Sequence, residues 1–296
     1  MKPPAFDYVR AESLEHALDT LGRYGDECRI LAGGQSLIGQ LNKRVLTPGV
    51  LLDINGLTQL RRVDDHGDTV VVGALTRHRD LEMRQAQRRD LPLFRRVASL
   101  IGHPQIRYRG TVGGSLCHSQ EVAEWSVLCC LLEATITLRS ATGRRTLTAD
   151  EFFRSRFVTA RAADELLEQV TIPTMDSMTG WFFDEVGHSH GATFIAVGVT
   201  GRLDNEGRLA SLRVAAGGIS EVPVESVIST SMIGESLTPE AVEDARARCL
   251  SEFRDRGHDD GPTSLDYRAR AASNLVARGL LAIAAPPASA TEGGDR

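Results

Sequence analysis

Ala32-Gly33-Gly34-Gln35-Ser36 and Thr111-Val112-Gly113-Gly114-Ser115 decide how this chain reads. Each sets adjacent glycines beside an apolar segment and ends on a hydroxyl side chain. Adjacent glycines admit positive φ and close approach of the backbone to a ligand, so successive N–H groups can point into one concavity. Such a nest binds phosphate oxygens without basic side chains, the more so where a short helix follows, as Leu37 suggests for the first segment. Ser36 and Ser115 add hydroxyl donors. Taken singly, either pair reads better as a tight turn. Taken together, two segments of one form suit the two phosphates of a dinucleotide. The standard nucleotide motifs do not compete. No G-x-G-x-x-G follows a strand, and Gly34 to Gly39 has the P-loop glycine spacing but runs into Gln40-Leu41 instead of Lys-Ser or Lys-Thr.

Working outward, Ser13 is a good N-cap, and Leu14, Ala17, Leu18 and Leu21 lie at helical spacing before Gly22 or Gly25. Arg29 to Ala32 reads as a strand entering the first glycine pair, Leu37 to Lys43 as a short helix and Val50 to Ile54 as a strand. Leu60 to Val63 and Thr69 to Gly73 flank a turn and predict a hairpin. Thr76 is expected to cap a polar helix to about Gln87, and Pro92 to sit in the first turn of another that reaches Ile101. Gly102 to Arg109 shows no periodicity. Val122 to Ala134 is apolar nearly all round, so that helix should be buried. Thr135 to Arg139 and Arg144 to Thr148 predict a second hairpin, and Glu165 to Ile172 a strand stopped by Pro173. The polar stretch Thr174 to Gly180 marks a domain boundary. Beyond it come strands at Trp181 to Asp184, Ile195 to Leu203 and Leu209 to Ala216, then helices near Thr238 to Phe253 and Ser264 to Leu281.

Composition bounds the function. The 296 residues are 42% hydrophobic, more than one core usually holds, so two domains are expected. A net charge of -5, from 34 basic and 39 acidic side chains, argues against a nucleic-acid surface but leaves room for a small anion bound by backbone dipoles. No apolar run approaches the roughly 20 residues of a membrane span, and Met1-Lys2-Pro3-Pro4 lacks a signal-peptide core. The chain reads as soluble and cytoplasmic. Cys28, Cys117, Cys129, Cys130 and Cys249 are odd in number without C-x-x-C spacing, which offers no disulfide framework, zinc site or iron–sulfur site. Cys129 and Cys130 read as buried small hydrophobes.

Several stretches carry a resemblance: Leu31-Ala-Gly-Gly-Gln-Ser-Leu-Ile38, Leu52-Asp-Ile-Asn55, Val72-Gly-Ala-Leu-Thr-Arg-His78, Ile101-Gly-His-Pro-Gln-Ile-Arg107 and Arg109-Gly-Thr-Val-Gly-Gly-Ser-Leu116. It continues through Ala149-Asp-Glu-Phe-Phe153, Glu165-Leu-Leu167 and Ile172-Pro173, and more weakly at Tyr267-Arg268 and Leu275-Val-Ala-Arg278. In order and spacing the chain resembles the FAD-binding medium subunit of the molybdenum hydroxylases, the carbon monoxide dehydrogenase and xanthine dehydrogenase type enzymes. The resemblance implies an α+β fold. A vanillyl-alcohol-oxidase (PCMH) type FAD-binding domain of two α/β subdomains would span residues 1–175. A three-stranded antiparallel sheet with helices would span 176–285, and the Pro, Ala, Gly and charged composition of 286–296 predicts a disordered tail.

The same resemblance implies that Ala32, Gly33, Gly34, Gln35 and Ser36, with Thr111, Val112, Gly113, Gly114 and Ser115, contact the FAD diphosphate. Glu124 corresponds to an acidic FAD contact able to accept from ribityl or ribose hydroxyls. Leu167 and Ile101 correspond to apolar residues at the flavin, and Phe194 to an aromatic residue over one ring face. His103 and His118, beside the second segment, are taken as structural, since the family mostly binds FAD non-covalently. Two departures stand out. Ser119-Gln120-Glu121-Val122 replaces an acidic residue and proline, and Gly187 to Phe194 lacks the arginines and aspartate common there.

What the family implies for function is electron transfer. A large molybdopterin subunit oxidises the substrate, a small subunit with two [2Fe–2S] clusters relays electrons, and FAD passes them to the terminal acceptor. The assembly would be a heterotrimer or a dimer of heterotrimers, and no side chain of this subunit acts on the organic substrate, for which an aromatic N-heterocycle is the expectation. Two rivals are a stand-alone flavin oxidoreductase of the same superfamily and a scaffold subunit without FAD. The first needs a catalytic constellation that the C-terminal segment does not offer, and intact glycine segments speak against the second.

Overall fold

The first helix begins where a hydroxyl caps it. In the computed structural model, which describes residues 2–84, 91–187, 193–259 and 263–284, Ser13 accepts from the His16 amide at 3.1 Å and starts α1 (Leu14–Tyr24). Leu14, Ala17, Leu18 and Leu21 share its buried face. They join Val50, Leu52 and Ile54 in one core against a parallel sheet of β1 (Asp7–Arg10), β2 (Cys28–Leu31) and β3 (Val50–Asp53), ordered β1-β3-β2. A short helix, α2 (Leu37–Asn42), links β2 to β3. Strand β1 has no signature in the sequence. Asp-Tyr-Val-Arg is polar and largely exposed, and only pairing with β3, far along the chain, makes it a strand.

A second, antiparallel sheet holds β4 (Val63–Asp65), β5 (Thr69–Gly73), β6 (Thr135–Ser140), β7 (Gly143–Thr148) and β10 (Leu166–Pro173), ordered β4-β5-β10-β6-β7. Both expected hairpins are there, but the first starts later, because Thr58–Leu60 is a 3-10 turn that buries Leu60. Between β5 and β6 run α3 (His78–Glu82), α4 (Leu91–Leu100), α5 (Pro104–Arg109), α6 (Val112–His118) and α7 (Glu124–Leu131). Between β7 and β10 come α8 (Ala149–Phe152) and the small hairpin β8 (Phe153–Ser155) and β9 (Val158–Thr159). As expected, α7 is buried on every side from Trp125 to Leu131.

Three expectations in this region are corrected. The helix anticipated from Thr76 starts after Arg77 and stops at Glu82, since the Thr76 hydroxyl donates to the Arg62 carbonyl at 2.9 Å instead of capping; residues 85–90 lie outside the described residues. The aperiodic stretch 102–109 contains α5, opened by Pro104, whose missing N–H costs nothing in a first turn. The second glycine segment is helical, since Thr111 caps α6.

These elements form one compact unit, Met1–Thr174; a second is Met175–Arg296. Its sheet is ordered β11 (Gly180–Gly187), β12 (Thr193–Leu203), β13 (Leu209–Gly217) and β14 (Val224–Glu225). Four strands replace the expected three, because β14, two residues bonded to β13, is too short to leave a periodic signal. After the single turn α9 (Ile228–Ser231), Thr238 accepts from the Ala241 amide and caps α10 (Pro239–Arg256). The buried face of α11 (Leu265–Ala284) includes Ala269, Ala272, Val276, Leu280 and Ile283. Gly279 lets it lie close to the sheet, since a Cβ there would meet Val199 Cγ2 at 2.5 Å. The tail 286–296 and most of the altered segment after Gly187 lie outside the described residues.

Among the described residues no helix is long and apolar enough to cross a membrane, and no group of His, Cys, Asp or Glu is arranged to hold a metal. All five cysteines are free, and Cys129 and Cys130 are buried in α7.

Candidate cofactor site

The first glycine segment leaves β2 and enters α2 with its backbone turned outward. Gly34 has φ 75°, a conformation side chains resist, and Gln35 and Ser36 are exposed. Helical bonds start only with the Ile38 amide, which donates to Gly34 O at 3.1 Å, and the Gln40 amide, which donates to Ser36 O at 3.2 Å. Among the described residues, the amides of Gln35, Ser36 and Leu37 donate to no protein acceptor. The Ser36 hydroxyl caps nothing. Three successive donors and a hydroxyl are therefore left for solvent or a ligand.

The second segment differs. Thr111 is the N-cap of α6, and its Oγ1 accepts from the Gly114 amide at 3.1 Å. Ser115 N donates to Thr111 O at 3.0 Å, Gly113 N to Ala74 O at 2.9 Å and Val112 N to Thr76 O at 3.0 Å. All four amides from Val112 to Ser115 are thus taken up within the chain, and the expected nest of free donors is absent here. The cause is the threonine cap together with the carbonyls of the β5–α3 turn, which satisfy the orphan amides of a helix start. Gly113 is buried, and a Cβ there would meet Ala74 Cβ at 2.6 Å. Gly114 is exposed, and the Ser115 side chain is half-buried beside it.

The two segments meet. A Cβ on Gly33 would lie 2.5 Å from Arg109 O and 2.8 Å from Gly110 Cα, and one on Gly114 would lie 4.0 Å from Ala32 Cβ. Two side chains brace the junction from behind. Asn55 Nδ2 donates to Ala32 O at 2.8 Å and to Asp53 Oδ1 at 2.7 Å, and Asn55 Oδ1 accepts from Arg77 Nη2 at 2.6 Å. The other end of the Arg77 guanidinium donates to Arg109 O. Burial raises the Asp53 carboxyl, but hydrogen bonds from Tyr8 and Asn55 outweigh it and hold the group below its ordinary range. Burial also draws Arg77 below its ordinary value, helped by the charges of Arg61 and Arg109.

Next to Arg77, His78 is buried against Gly110, and its Nδ1 accepts from Trp125 Nε1 at 3.0 Å. Burial first, then the charges of Arg77 and Arg107, push it down to about 3, so the ring is neutral. Leu167 sits 4% exposed on β10 at a bulge, beside Glu168, whose carbonyl accepts from the same Ala74 that receives the Gly113 amide. Ile101, 8% exposed after α4, has its carbonyl held by Arg107 Nη1 at 3.2 Å. Arg107 also pairs with both oxygens of Glu82, at 3.0 and 3.2 Å, which ties the approach to the second segment onto α3.

Glu124 is half-buried at the first position of α7. Phe194 belongs to the second unit, half-buried on β12 with its ring 5.6 Å from that of Tyr267. His103 is exposed at the N-cap of α5, and His118 packs on Phe157, its pKa lowered by burial. Asn55, Arg77 and Arg107 stand inside the quoted motifs without a role legible there, because most of the carbonyls they bind are far away in sequence.

These residues fit a diphosphate. Open amides, a bare glycine surface and a buried cation behind it provide donors, access and charge. The surrounding architecture is α+β. Residues 4–175 match the family described as the FAD binding domain in molybdopterin dehydrogenase, and residues 188–283 match the CO dehydrogenase flavoprotein C-terminal domain. The chain is 36% identical over 287 residues to the 6-hydroxypseudooxynicotine dehydrogenase complex subunit alpha of Paenarthrobacter nicotinovorans, covering 95% of each. It is 35% identical over 283 residues to the caffeine dehydrogenase subunit beta of Pseudomonas sp. (strain CBB1), again covering 95% of each. Carbon monoxide dehydrogenase from Hydrogenophaga pseudoflava, solved without the Mo-pyranopterin moiety of its cofactor, superimposes with a TM-score of 0.89 at 30% identity, over 96% of this chain and 98% of that one. The chain belongs to the FAD-binding medium-subunit family of the molybdopterin-dependent oxidoreductases.

Proposed function

We propose that this chain is the electron-transfer subunit of a molybdenum hydroxylase, with the FAD diphosphate seated on the exposed amides of Gln35, Ser36 and Leu37. The observation that supports it most is that these three donors lack a protein acceptor while the bare face of Gly114 lies alongside. Bound there, FAD would supply the redox centre between a [2Fe–2S] partner and a terminal acceptor. The protein's part is to bind and orient. The first segment donates to phosphate oxygens, Ser115 adds a hydroxyl, and Thr111, Val112, Gly113 and Gly114 form the wall. Glu124 accepts from a ribose or ribityl hydroxyl. Ile101 and Leu167 are the apolar backing on the ring side.

The chain holds no cysteine set for a cluster, so a small [2Fe–2S] subunit and a large molybdopterin subunit are its partners. Substrate oxidation takes place in the latter. A relative named for caffeine favours an aromatic N-heterocycle as the substrate class. The purified chain should show flavin absorption in the visible, or regain it on incubation with FAD, and should co-purify with iron and molybdenum when its partners are co-expressed. A colourless chain that takes up no FAD would contradict the assignment.

A further inference from the structure

Arg77 is 6% exposed, and its guanidinium lies under the junction of the two glycine segments. Its acceptors are neutral: the Arg109 carbonyl on one side and Asn55 Oδ1 on the other. The first abuts Gly33, and Asn55 in turn holds Ala32 O at 2.8 Å. Among the described residues, no carboxylate forms an ion pair with this guanidinium. Asp53 and Asp80 attract it only from farther away, against the repulsion of Arg61 and Arg109. Among the described residues of this unit, the other buried arginine, Arg107, shows the usual arrangement, a two-point pair with Glu82.

Buried charges in folded proteins are ordinarily paired, because leaving water costs far more than neutral hydrogen bonds return. A buried arginine held on neutral acceptors at the junction of the two glycine segments, the first of which carries open amides, therefore points to an anion outside the chain. We propose that Arg77 supplies the counter-charge to the FAD diphosphate from behind the glycine segments, without touching the phosphates. It is a positioning residue that also acts electrostatically. Its hydrogen bonds fix the two segments, and its charge offsets that of the ligand through them. Asn55 keeps the guanidinium turned toward the junction. The inference rests on the placement of FAD proposed above.

The test uses the full chain freed of FAD, titrated with FAD by flavin fluorescence and in competition with ADP or adenosine, which share the adenine side but differ in the diphosphate. Arg77→Gln should weaken FAD and ADP alike by about tenfold or more, with adenosine unmoved, and Arg77→Lys, which keeps the charge, should stay within about threefold of the natural chain. Equal weakening of ADP and adenosine, or a lysine variant as impaired as the glutamine one, would mark a purely structural brace and overturn the proposal. If far-UV circular dichroism shows Arg77→Gln unfolded, the lysine variant decides alone. A preserved preference for ADP over adenosine is then expected, and its collapse refutes the idea. A natural chain that takes up no FAD would instead overturn the placement itself, before any variant is made.

Discussion

The two glycine segments look alike in sequence and behave differently in the fold. In residues 32–36 the backbone leaves a strand, passes Gly34 at positive φ and reaches α2 with three amides unclaimed. In residues 111–115 every amide from Val112 onward is claimed, one by the Thr111 hydroxyl, one by the Thr111 carbonyl and two by carbonyls of the β5–α3 turn. The first glycine pair leaves the donors that follow it open. The second removes side-chain bulk so that α6 can press against Ala74 and leave a smooth face at Gly114. A Gly-Gly pair is thus not evidence of a nest until the partners of its amides are known.

Substitutions can break that contrast in graded steps. Gly33→Val should act most strongly, because its Cβ would strike backbone atoms, Arg109 O at 2.5 Å and Gly110 Cα at 2.8 Å, and force the segments apart. We expect FAD to be lost during purification and unfolding free energy to fall by about 3 kcal/mol, read by flavin content and urea denaturation.

Acid should weaken the second segment through His78. Its folded pKa of about 3 lies below the ordinary 6.5, so the unfolded chain takes up a proton that the folded chain refuses. His78 thus has no effect above 6.5 and lowers stability progressively as pH falls toward about 3, by up to about 2 kcal/mol near pH 5. His78→Asn, which keeps an acceptor for Trp125, should flatten that part of a stability profile measured by denaturant titration, and an unchanged profile would refute the assignment.

Smaller effects separate the two hydroxyls. Thr111→Val removes the cap of α6 and should cost about 1 kcal/mol whether or not FAD is bound. Ser36→Ala removes a hydroxyl that caps nothing, so the FAD-free chain should keep its stability within about 0.5 kcal/mol. Its FAD affinity, followed by fluorescence titration, should still fall by about threefold, the loss of one hydrogen bond.

Much of the fold is legible where the signals are local. Ser13 and Thr238 as caps, the apolar stripe of α1, the all-round apolar α7 and the hairpin turns each announce themselves within a few residues. What stays hidden depends on distant partners or weak propensity. The polar β1 and the two-residue β14 exist because neighbouring strands offer ladders. The start of α6 carries two glycines, poor helix formers that mask the Thr111 cap in front of them. At the site, the open backbone of the first segment is readable from its glycine pair, whereas the bracing by Asn55 and Arg77 joins residues 22 to 32 positions apart and has no sequence pattern of its own.

Hydrogen–deuterium exchange of the full chain with and without FAD addresses the contrast most directly. Binding should slow exchange at the amides of Gln35, Ser36 and Leu37, which are open in the free chain, and change little at Gly113, Gly114 and Ser115, already protected by their internal bonds. Equal new protection at both segments, or none at residues 35–37, would contradict the division of labour between them.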